Sequence, residues 1–104
     1  DYFKVATWPG NEILEKQKEL GISDEDLYST LSYFDVKNFT DKIECPVYMS
    51  VGLQDPVCPP HTNFASFNQV KSEKHWICYP HCDHAMWMVP EWREVKKKFF
   101  EPYL

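Results

Sequence analysis

Two short stretches carry the residue types that acid–base chemistry needs. In VGLQDPVCPPHT, residues 51–62, a lone carboxylate, Asp55, follows an apolar run that ends at Gly52, and a rigid Pro/Cys loop comes after it. In YPHCDHAMW, residues 79–87, His84 stands in a polar loop after a second apolar run. A bare turn would need only the glycine and a proline, so an acid placed against a strand end calls for a partner. His84 is the expected one. A carboxylate that accepts from one imidazole nitrogen fixes the tautomer of the ring and leaves the other nitrogen to act as a base.

Plainer readings exist for each residue. Asp55 could act only as a turn former after the strand. His84 could be a loop histidine with ordinary partners, and His81 could take its place. His61 and His75 read as surface or strand residues. Cys58 reads as a packed small hydrophobe rather than a reactive thiol. Cys78, His81, Cys82 and His84 crowd together and raise a zinc reading, but two ligand pairs with zinc-finger spacing are missing. The four cysteines, Cys45, Cys58, Cys78 and Cys82, are too sparse for a small disulfide scaffold. Free thiols and no bound metal are expected.

An acid and a base still need a nucleophile. The chain has three glycines, Gly10, Gly21 and Gly52, and none flanks a serine as G-x-S-x-G. Ser23, Ser29, Ser32, Ser50, Ser66 and Ser72 have no such elbow around them. The nucleophile is therefore expected outside this chain, which opens at Asp1 without Met, as a cut piece would.

The elements that must hold Asp55 and His84 follow from pattern. Residues 11–20 read as a surface helix, capped by Asn11, closed by Gly21 and supported by a Glu12/Lys16 pair. A second helix starts at Ser23, with Asp26 completing a capping-box pattern. Leu27 and Leu31 lie one turn apart on it, and a short helical turn is expected over 37–43. Pro46 opens the strand VYMSV, whose continuous apolarity suits cover on both faces. Pro60 begins a crossover helix carrying Phe64, Phe67 and Val70. HWICY, residues 75–79, is the second strand. The last helix runs from about Pro90 with a stripe of Trp92, Val95 and Phe99, and Lys96 to Lys98 complement its C-terminal dipole.

This order predicts an α/β fold: a helical stretch over 11–43, then strand–helix–strand–helix over 46–104, with parallel strands and a right-handed crossover. In such sheets functional groups gather beyond the carboxyl ends of the strands, where both loops fall side by side. The order Asp then His, one helix apart, is that of an α/β-hydrolase after its nucleophile. The 104 residues are thus read as one C-terminal segment of such a domain. Two parallel strands make a poor sheet alone, and 16% aromatic residues in so short a chain suggest a larger body to pack against.

The run from Leu31 to Val70, LSYFDVKNFTDKIECPVYMSVGLQDPVCPPHTNFASFNQV, followed by YPHCDH, resembles the C-terminal part of the acetyl xylan esterase/cephalosporin-C deacetylase family. SYFD, the VGLQD strand end, the CPP loop and Asn68 carry the likeness. The resemblance implies a Ser–Asp–His triad on an α/β-hydrolase core, with Asp55 as triad acid, His84 as triad base and the serine before Asp1. It implies removal of acetyl groups from acetylated xylo-oligosaccharides and cephalosporin-type esters, no cofactor, and assembly of the full-length protein into a homo-oligomer. Family members often continue past the histidine with Glu and glycines, whereas here Ala85-Met86-Trp87-Met88 follows. Trp87 and Met88 could line an acyl pocket or cover the sheet.

Composition bounds the partners. A net charge of −5 and a pI of about 5.3 give no nucleic-acid surface, and no run of about 18 apolar residues gives a spanning helix. A small acetylated ester is the expected ligand, with neither nucleic acid nor membrane as partner. The cysteines point to the cytoplasm, and a lost upstream signal would point to secretion. The competing reading is a non-catalytic, hydrolase-like interaction module.

Overall fold

The computed structural model describes residues 2–5 and 7–104. The first half is helical: a single turn, α1 (Tyr2–Val5), then α2 (Gly10–Leu20), α3 (Asp24–Ser32) and two 3-10 turns at Val36–Asn38 and Thr40–Lys42. The second half runs β1 (Val47–Gly52), α4 (Pro60–Phe67), β2 (Lys74–Tyr79), a 3-10 turn at Met86–Met88, α5 (Pro90–Phe100) and a last 3-10 turn at Glu101–Tyr103.

Local chemistry explains most of these boundaries. Gly21 closes α2 in the left-handed region at φ 64°, and the amides of Gly21 and Ile22 donate to the carbonyls of Lys18 and Gln17. Asn11 is not the cap of that helix. The helix starts earlier, at Gly10 behind Pro9, and the Asn11 amide donates to the Thr7 carbonyl at 3.0 Å. Lys16 likewise pairs with Glu19 at 2.7 Å rather than with Glu12. Ser23 does cap α3, its hydroxyl oxygen accepting from the Asp26 amide at 3.1 Å. The same hydroxyl donates to the Asp26 carboxylate at 2.7 Å. Asp is one methylene shorter than the Glu of a full capping box, and here it meets the cap's side chain.

The two strands pair in parallel, from Val47 opposite Lys74 to Gly52 opposite Tyr79. Helices cover the two faces. On one, Trp92 and Phe99 of α5 pack on Tyr48, with ring centroids 5.7 and 5.5 Å apart. On the other, Phe64 of α4 meets Trp76 edge-on at 5.5 Å. Lys74 ties the crossover shut: its ammonium donates to the carbonyls of Phe67, Asn68 and Val70 at 3.2, 3.1 and 2.8 Å. Phe67 is the last residue of α4, Asn68 caps it and Val70 follows, so the ammonium sits at the helix C-terminus, where a cation also favours the dipole.

Cover on both faces is reached only at the carboxyl end of β1. Val51 is 1% exposed and Gly52 is buried, but Val47 to Ser50 are half-buried and Trp76 is 55% exposed. The sheet has two strands among the described residues, so its edges stay open. The buried hydrophobic core is Val51, Phe67, Val70 and Met86. It lies directly beneath the strand ends, where Asp55 and His84 stand.

Candidate active site

The site begins with how tightly the two loop tips are tied. Beyond β1, the Leu53 amide donates to the Tyr79 carbonyl at 3.2 Å and the Gln54 amide to the Cys82 carbonyl at 3.0 Å. The Gln54 side chain adds a bond to the Pro80 carbonyl at 3.3 Å. Gly52 is where the chains come closest. A Cβ built there would lie 2.4 Å from the Asp83 carbonyl oxygen and 2.6 Å from that of Cys82. A side chain is excluded by main-chain atoms that cannot rotate away. The turn carrying His84 is thus seated directly on the end of β1.

Asp55 is 8% exposed and uses both carboxylate oxygens. Oδ1 accepts from the amides of Val57 and Cys58 at 2.9 and 2.8 Å. Oδ2 lies 3.0 Å from His84 Nδ1. The turn-forming and partner-holding readings of Asp55 are therefore compatible, because one oxygen shapes the loop while the other meets the imidazole. The His84 side chain is 45% exposed, and Nε2 is the ring nitrogen left for a substrate or a further group. A carboxylate on Nδ1 favours the tautomer with its proton there and the lone pair on Nε2. His81 is exposed and makes no bond to Asp55, and Cys78, His81, Cys82 and His84 do not converge as a metal-sized cluster among the described residues.

Neighbours complete the surroundings. Trp87 stands edge-on to the His84 ring at 6.0 Å and is exposed, whereas Met86 turns into the core. Asn63 donates to the Cys58 carbonyl at 3.0 Å and Thr62 to the Pro59 carbonyl at 2.7 Å, which fixes the CPP loop on the first turn of α4. Burial, and then the charge of Asp55, push the Cys58 thiol up from its ordinary value. The Tyr2 hydroxyl is pushed up by burial and then by Cys58 and Asp55, which places α1 beside the site.

Sequence reasoning missed two features here. It assigned no role to the Val57 and Cys58 amides, although Asp-Pro followed by two further residues is the signature of an Asx turn. It also weighed Cys58 as a packed hydrophobe against a reactive thiol without placing it against both partners, whereas Asp55, Cys58 and His84 offer one donor atom each, all within 4.8 Å of one another. No local sequence signal announces that convergence, because His84 arrives from the other strand.

Comparison with known proteins gives a consistent picture. The family described as Acetyl xylan esterase (AXE1) matches residues 12–102. The chain is 39% identical over 56 residues to Acetyl esterase Axe7A of Xylanibacter ruminicola, covering 54% of this chain and 13% of that protein. Among solved structures it is similar to the acetyl xylan esterase from Paenibacillus sp. R4, with TM-score 0.86 and 33% identity over 95% of this chain and 32% of that one. Acetyl Xylan Esterase 1 from Thermoanaerobacterium sp. JW/SL YS485 gives TM-score 0.80 and 31% identity over 92% of this chain and 31% of that one. The chain thus spans about a third of the length of these structures.

Proposed function

Because the chain belongs to the acetyl xylan esterase family, we propose that it supplies the acid and base of a serine esterase acting on acetylated xylo-oligosaccharides or cephalosporin-type esters. The fold is that of an α/β-hydrolase, and residues 1–104 form its C-terminal segment in this reading. The observation that carries the proposal is the 3.0 Å contact between Asp55 Oδ2 and His84 Nδ1 at the carboxyl ends of adjacent parallel strands.

In the proposed mechanism, a serine from another segment of the full-length protein attacks the acetyl carbonyl. His84 Nε2 takes the hydroxyl proton as the new C–O bond forms. Asp55, held by two backbone amides, keeps the imidazole oriented and stabilises the imidazolium. The imidazolium gives its proton to the leaving alcohol, which leaves an acetyl-enzyme. His84 then takes a proton from water, and acetate departs as the serine recovers its proton. Trp87, beside the base, is placed to shape the acyl or sugar side of the cleft. No cofactor enters these steps, and the full-length protein is proposed to work as a homo-oligomer.

The test uses the full-length enzyme with p-nitrophenyl acetate and an acetylated xylo-oligosaccharide. Asp55→Asn should lower kcat by about 10⁴-fold and His84→Ala by about 10⁶-fold. Retention of kcat within tenfold in either variant would overturn these roles.

A further inference from the structure

Asp55, Cys58 and His84 present an oxygen, a sulfur and a nitrogen within 4.8 Å of one another. Oxygen, thiolate sulfur and imidazole nitrogen are together the donor set of zinc and its neighbours, with bonds of about 2.0–2.3 Å. We propose that these three side chains form an inhibitory site for a thiophilic divalent cation, zinc in the first instance.

Geometry argues for it. Asp55 Oδ2 and His84 Nδ1 are already 3.0 Å apart, shorter than the spacing of two ligands on one zinc. Cys58 belongs to the same turn as Asp55, since its amide donates to Asp55 Oδ1 at 2.8 Å. Its carbonyl is held by Asn63 and the next two residues are prolines, so the sulfur has a fixed base. His84 is half-exposed on the opposite loop tip, which leaves an entry path for the ion. Charge argues for it as well. A thiolate beside Asp55 would place two negative charges together, and a dication neutralises both.

The proton balance predicts the consequence. The Cys58 thiol gives its proton to solvent as the sulfur–zinc bond forms. Nδ1 exchanges its proton for the metal, and the neutral ring then carries its proton on Nε2. The nitrogen proposed to accept the serine proton becomes a donor, while Asp55 Oδ2 moves from the ring to the metal. The inhibitory effect rests on the esterase reading above, but the binding does not.

The probe for binding is cobalt(II), added to the intact, reduced protein. The expected result is a thiolate-to-cobalt charge-transfer band in the near ultraviolet that zinc abolishes. The band should be lost in Cys58→Ser and in Cys58→Ala, and kept in Cys78→Ser. No band in the wild type, or a band that survives both Cys58 variants, overturns the site. In parallel, zinc inhibition of the full-length enzyme is compared with each protein's own zinc-free rate. Both Cys58 variants should need at least tenfold more zinc for half-inhibition, and equal sensitivity overturns the inhibitory role. Should the enzyme prove inactive while the band appears, the esterase reading fails and the metal site stands.

Discussion

Asp55 divides its two oxygens between the loop that carries it and the ring it faces. That division sets how much freedom the site has, because the acid cannot rotate without releasing the Val57 and Cys58 amides. Gly52 imposes the matching limit on His84. Gly52→Ala would drive a Cβ into the Asp83 carbonyl, one residue from His84. Overpacking against main chain costs about 1–3 kcal/mol, and a displacement of about 1 Å in a catalytic group can cost about 100-fold in rate. The variant should melt several degrees lower and lose most of its kcat, while unaltered melting and turnover would contradict the close approach. At this scale, the pairing of Asp55 with His84 was legible from an acid and an imidazole at two strand ends, although His81 in the same loop competed for the place. The inward turn of Cys58 was not, because a side chain's direction in a proline-bounded loop depends on contacts from a distant segment.

Helices and strands position these residues through their ends more than through their interiors. α4 is only two turns long, and its final carbonyl and two just beyond it are gathered by one ammonium at the start of β2. Lys74→Met keeps the aliphatic stem and removes three charge-assisted bonds. A loss of about 1–2 kcal/mol is expected, read as a lower urea midpoint with an unchanged slope. A variant as stable as the wild type would mean that solvent serves those carbonyls equally well. The Ser23 cap, the Gly21 stop and the prolines opening α4 and α5 could all be read from local sequence, since each satisfies a helix end by its own chemistry. The start of α2 could not. Asn11 has the right residue type, but the preceding chain supplies carbonyl partners that leave its side chain unused. Continuous apolarity in β1 likewise overstated its cover, because apolar residues record what a face is suited to meet, not whether it is met.

For the whole molecule, shape and surface are informative. The radius of gyration is 16.1 Å, above the roughly 13 Å of a compact domain of this length. The extents of 50 × 31 × 20 Å describe a flattened, elongated body. Tyr33 and Phe34 are more than three-quarters exposed, and Trp76 stands open on a sheet face. A chain built like this, with no serine elbow in its sequence, should be inert on its own. The purified 104-residue chain should hydrolyse p-nitrophenyl acetate no faster than its His84→Ala variant. Turnover by this chain that serine-directed reagents abolish would overturn that expectation. Whatever surrounds it, Asp55 and His84 do not depend on that surface for their spacing. Main-chain bonds from Leu53 and Gln54 to the far turn, with Gly52 pressed beneath it, join the two loop tips into one block. Such a block behaves as a transferable cassette: neighbouring side chains, Trp87 among them, are free to diversify over generations without the pair having to find its separation again.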